Sequence, residues 1–149
     1  MARPFSLQPL LELMQTRTDE ATRELGKLIA AEQNQKSRLQ MLEQYREEYA
    51  QRLREASAEG VTRQILDNYQ DFLGRIDEAI DQQRLVVDKS EQSTLAGQEH
   101  WRAQNTRLKA IDTLSQRHEA HERYREGKKE QKLLDEFSTR KFGRGRAEE

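Results

Sequence analysis

From Leu10 to Glu149 the chain contains no proline. Proline inside a helix removes a hydrogen bond and clashes with the preceding turn, so nothing of that kind interrupts a helix over almost the whole length. Ala, Leu, Glu, Gln, Lys and Arg dominate the stretch, and these are strong helix formers. Composition then decides what such helices can bury. Only 34% of the 149 residues are hydrophobic, 6% are aromatic and 36% are charged. A chain this polar is either disordered or built from long helices that bury a narrow stripe.

The stripe is present. Leu7, Leu11, Met14, Thr18, Ala21, Leu25, Leu28, Glu32, Gln35, Leu39, Leu42, Arg46, Tyr49 and Leu53 alternate in steps of three and four, and ten of these 14 are apolar. That alternation over seven heptads is the coiled-coil pattern; Thr18, Glu32, Gln35 and Arg46 interrupt it, and polar seam members can fix register at a cost in stability. "EASAEGVT" follows. Gly60 can adopt the left-handed conformation that ends a helix, and Thr62 suits the cap of the next one.

A second seam runs from Leu66 through Tyr69, Leu73, Ile76, Ile80, Gln83 and Val87 to His118, with nine of 16 positions apolar and a weak middle at Ser90 to Gly97. The small residues there either let the helices approach closely or form a soft point.

The sequence therefore predicts an all-α fold: one domain over 1–149, a long antiparallel two-helix coiled-coil hairpin whose second helix is the longer. The expected bounds are about 6–56 for the first helix, 57–61 for the turn, 62–142 for the second helix and 143–149 for a frayed basic tail. Folding about residue 59 sets the start of the first helix near residue 112, which leaves roughly 30 residues of the second helix, about 45 Å, without a partner. So polar a helix is marginal alone in water, and it is expected to order against another molecule.

Several functions are disfavoured. The net charge is −1, so no global field draws the chain to nucleic acid or anionic membrane. With no cysteine there is no disulfide framework or thiol chemistry, which suits a reducing cytoplasm. No apolar run approaches the ~20 residues of a membrane helix, and "MARPFSLQPLLELM", interrupted by Glu12, does not read as a signal peptide. Phosphate-loop, HExxH and paired catalytic carboxylate patterns are absent. We expect no catalytic residue, no metal and no cofactor. His118, His121 and Glu122 share a helical face that could hold a divalent ion, but such a set on a solvated helix is more often polar surface.

Ile65, Phe72, Ala79 and Val86 form a further stripe, each one residue before a seam position. Two readings are open: a broadened core, or a partner surface, since an exposed apolar strip marks an interaction site. Phe72 favours the second, because two helices have no third layer to cover its ring. Phe72, Ile76, Ala79 and Gln83 can face one partner together. Leu42, Tyr45 and Tyr49 converge on them by the expected fold-back, and tyrosines are typical interface anchors. Near the C-terminus Leu133, Leu134 and Phe137 make an apolar patch, followed by Arg140, Lys141, Arg144 and Arg146. This segment is either a solvated tail or an arm that inserts into another protein. Four basic residues around Phe142 are a small footprint for nucleic acid.

"EATRELG", "QMLEQYREEY", "NYQDFLGRIDEAI" and "QKLLDEF", with the aromatic spacing of Tyr45, Tyr49, Tyr69 and Phe72, resemble the FliJ family of flagellar type III export proteins over nearly the whole chain. The resemblance implies a hairpin similar to the rotor stalk of F- and V-type ATPases. It implies a non-enzymatic, cytoplasmic protein, peripherally associated with the inner membrane at the flagellar base. Its partners would be the hexameric export ATPase, whose assembly it would promote, the cytoplasmic domain of the membrane export gate, and export chaperones. No nucleic acid or small-molecule substrate is implied.

The gate-facing surface would comprise Phe72, Ile76, Ala79, Gln83, Leu42, Tyr45 and Tyr49. The termini would face the ATPase, with Leu133, Leu134, Phe137, Arg140 and Lys141 on the arm. Arg38 stands where the family pattern often has Gln, and Gln83 where His is common, which puts polar details of the gate contact in question. The alternative is a self-associating structural coiled coil.

Overall fold

A computed structural model describes residues 3–148, and their side chains up to residue 143. Two helices, α1 (Gln8–Glu59) and α2 (Arg63–Glu148), account for nearly all of it. They pack against each other through the heptad seams, and no strand occurs among the described residues. The fold class is the one expected, all-α with the second helix longer. The chain divides into two compact units, Met1–Thr18 with Ala103–Glu149 and Asp19–Arg102.

The unit of residues 19–102 contains the turn. Gly60 has φ +90, a conformation that L side chains rarely adopt, and its N–H donates to the Ser57 carbonyl at 3.3 Å. The Thr62 hydroxyl accepts from the Ile65 N–H at 3.3 Å, which is N-capping at the expected residue. α1 runs to Glu59 rather than stopping near 56, because Ala56, Ala58 and Glu59 favour helix and Ser57 tolerates it. The fold-back is correspondingly later.

Trp101 donates its indole N–H to the Thr22 hydroxyl at 2.9 Å, Thr94 lies over Leu28, and Phe72 meets Tyr49. These pairs sit about one helical turn further along α2 than a fold-back at residue 59 gives. Ala21, Ile76, Ile80 and Val87 are the buried apolar residues here.

The Ser90 to Gly97 stretch provides close approach. A Cβ placed on Gly97 would lie 2.6 Å from Leu28 Cδ1, so the missing side chain is the seat for Leu28. Thr94, also buried, returns its hydroxyl to the Ser90 carbonyl at 3.1 Å.

In the other unit, Leu11, Met14, Thr18, Gln104, Ser115 and Glu122 are buried. The segment 3–7 ahead of α1 continues along α2: Phe5 stacks at a tilt on His118 with centroids 5.5 Å apart, and the Arg3 N–H donates to Glu122 Oε2 at 3.3 Å. Cover therefore extends about ten residues beyond the expected residue 112. The exposed part of α2 begins at residue 126 rather than near 112, and the helix from there to its end at Glu148 is about 35 Å long. α2 also continues past the expected end at 142, since no proline stops it and isolated glycines weaken a helix by only about 1 kcal/mol each. The side chains of Arg144 and Arg146, and Glu149 as a whole, lie outside the described residues.

Candidate functional site

Heptad geometry sorts the expected gate-facing residues into two groups. Tyr45 and Tyr49 are four apart on α1 and stack with centroids 6.5 Å apart. The Tyr49 ring meets Phe72 of α2 at 4.4 Å, a separation at which tilted aromatic pairs attract. Arg52 lies over the outer face of Tyr49, its guanidinium carbon 5.1 Å from the centroid, in the geometry of a cation–π contact. One continuous aromatic strip results. Phe72 remains 40% exposed and Tyr45 52% exposed even so, because two helices supply no third element to cover them.

The remaining residues are more enclosed. Ile76 is 8% exposed and belongs to the seam core. Leu42 and Ala79 are half-buried. Gln83 turns inward: its amide donates to the Gln35 carbonyl at 2.9 Å and to Gln35 Oε1 at 2.8 Å. It is thus a polar seam pair of the kind that fixes register. Of the flanking stripe, Ile65, Phe72 and Val86 each keep 40% or more of their surface exposed, so a broadened core covers them only in part.

Charges surround the strip. Arg46 pairs with Asp77, and Arg84 lies 3.7 Å from Glu43. The Asp77 carboxylate raises the Arg46 pKa, first through the side-chain hydrogen bond and then through its charge. Exposed pairs of this type add little stability but frame the aromatic surface with both signs of charge.

On the arm, Leu133 and Leu134 are each 65% exposed and Phe137 67%. Every residue from 126 to 143 is exposed, Arg140 and Lys141 included. Leu133, Phe137 and Arg140 fall on one helical face at steps of four and three, an amphipathic stripe with no intramolecular cover among the described residues.

The histidine–acid group resolves differently from a metal site. His118 Nε2 donates to the Arg3 carbonyl at 2.8 Å, and Glu122 accepts from the Arg3 amide. No group of three His, Cys, Asp or Glu is placed to hold a metal among the described residues.

Sequence reasoning missed this clamp and the Arg52 contact. The spacing of Tyr49 and Arg52 signals the second. Nothing in a sequence announces a bond to a distant backbone, though Pro4 hints at an extended Arg3. No helix among the described residues is long and apolar enough to cross a membrane.

Comparison with known proteins agrees with the fold. A solved structure from Chlamydia trachomatis, described as a YscO homologue, superposes with a TM-score of 0.55 at 18% identity, over 97% of this chain and 94% of that one. It supports the fold. Two curated proteins named Flagellar FliJ protein are similar in sequence. The one from Salmonella typhi is 32% identical and the one from Escherichia coli strain K12 is 31% identical, each over 140 residues, 94% of this chain and 95% of the relative. The profile of the family described as Flagellar FliJ protein matches residues 3–147. A hairpin of two heptad-patterned helices, matched from end to end in this way, is a member of the FliJ family of flagellar proteins.

Proposed function

We propose that this chain, a component of the flagellar export apparatus by family, is its non-enzymatic central stalk. The α2 arm enters the hexameric export ATPase and promotes its assembly. The aromatic strip contacts the cytoplasmic domain of the export gate, and the same protein escorts export chaperones. The observation that carries this reading is the pair of apolar surfaces that remain exposed: Tyr45 and Phe72 on the hairpin, and Leu133, Leu134 and Phe137 on the arm.

A single hairpin cannot match six subunits at once, so contact with the ring is asymmetric. The arm's mix of acidic and basic residues suits exchangeable polar contacts of that kind. Among the gate-facing residues, Phe72, Tyr45 and Tyr49 make the contact and Ile76 supports it from the seam.

The test is a pull-down from cytoplasm and membranes with the intact chain, with Phe72→Asp, and with Leu133→Asp/Phe137→Asp. Phe72→Asp is expected to lose the gate component and keep the ATPase, and the arm variant to do the reverse. Light scattering accompanies it. An obligate dimer that captures neither partner would put a self-associating structural coiled coil in place of the stalk.

A further inference from the structure

We infer that residues 3–7 form a latch, closed by His118 and Glu122 on the backbone of Arg3, whose opening lengthens the unpaired part of α2 available to a partner. The inference rests on the stalk reading for its consequence, but on the geometry of one unit for its existence. An extended residue points its own N–H and C=O to the same side, as in a strand pair. Pro4 biases Arg3 toward that conformation. His118 and Glu122, one turn apart on α2, meet the two groups together: the imidazole donates to the carbonyl and the carboxylate accepts from the amide. Arg125 holds the carboxylate from the other side at 3.7 Å. Phe5 adds its ring over His118.

The remainder of the segment is loosely held. Arg3 and Pro4 are exposed, Phe5 is half-buried, and Leu7 is 38% exposed. Two hydrogen bonds and one ring contact are set against the entropy of ordering five residues, terms of comparable size. That balance is what a releasable contact needs. While the latch is closed, α2 is exposed from residue 126. Opening uncovers His118 and Glu122 and moves the start of the free helix toward residue 118, about two turns earlier. The arm offered to a ring would then be longer by that amount.

The experiment uses the full chain. His118→Leu/Glu122→Leu removes both backbone partners while placing apolar residues at the last seam position and at the buried Glu122 site, which protects the fold. Pro4→Gly loosens Arg3 without touching α2. Hydrogen exchange by NMR should show protection of the Gln8 and Leu11 amides, whose acceptors are Phe5 and Leu7, falling at least tenfold in both variants. Amides of residues 70–100 should stay unchanged. Affinity for the isolated export ATPase hexamer should rise several-fold in the same variants. Unchanged protection, or unchanged affinity despite lost protection, overturns the latch as a control on the arm. An ATPase that binds neither form overturns the stalk reading, and the exchange result still decides whether the latch exists.

Discussion

Two glycines on α2 have different surroundings. A methyl added to Gly74 would meet nothing within 4 Å, whereas one added to Gly97 would press on Leu28 Cδ1 at 2.6 Å and touch Leu25 Cδ1 at 3.6 Å. Both lie mid-helix, where alanine is preferred over glycine by up to about 1 kcal/mol. Gly74→Ala should therefore stabilise the chain by about 0.5–1 kcal/mol. At Gly97 the same gain is opposed by the cost of turning the end of the Leu28 side chain aside, so Gly97→Ala should stabilise the chain less than Gly74→Ala does. Urea unfolding of the two variants side by side measures the difference.

Glu122 yields a pH prediction at the same scale. The Arg3 N–H holds its carboxyl below the usual carboxylate range, burial opposes this, and Arg125, His118 and Arg3 add favourable charge. A depressed folded pKa contributes stability that is complete above the ordinary carboxylate value and is lost as pH falls through the folded one. Acid should therefore release segment 3–7. An NMR titration following Phe5 should show a step on the acid side of the ordinary carboxylate range that Glu122→Gln lacks.

Each helix is set by its ends as much as by its seam. Gly60 at φ +90 and the Thr62 cap make the turn out of three residues. Gly60→Ala places a Cβ in a region that penalises L residues by about 1–2 kcal/mol, and Thr62→Ala removes a cap worth about 1 kcal/mol. Both should lower the denaturation midpoint, and the double variant should fall short of their sum because they sit in one turn.

This turn is legible in the sequence because its chemistry is local: one residue free to adopt positive φ, followed two later by a hydroxyl cap. Both seams are legible for a similar reason, since heptad periodicity is a property of one helix at a time. Register is less so. The seam repeats every few residues, so an error of three at the end of α1 displaces every expected pair by about one helical turn. The spacing of Gln83 fits both the seam and the face shared with Phe72, and the Gln35 side chain and carbonyl that decide between them belong to a partner helix that spacing cannot see. The clamp on Arg3 is less visible still, because its partner is backbone.

At the scale of the whole molecule, the thermodynamics should reflect a chain that buries little. Among the described residues no large side chain falls below 2% exposure, and five polar or charged residues are as buried as the six apolar ones. Unfolding heat capacity comes from newly exposed apolar surface, and ordinary domains give about 12–15 cal/mol/K per residue. Calorimetry should place this chain below that range. Residues 126–143 are all exposed. Deleting residues 127–149 should thus leave the melting temperature within about 2 °C while removing the surface assigned to the ATPase. If the deletion instead lowers the melting temperature by about ten degrees, the arm packs against its own chain. Its apolar stripe would then be core, and the exposed strip at Tyr45, Tyr49 and Phe72 would be left as the single surface through which the protein meets its partners.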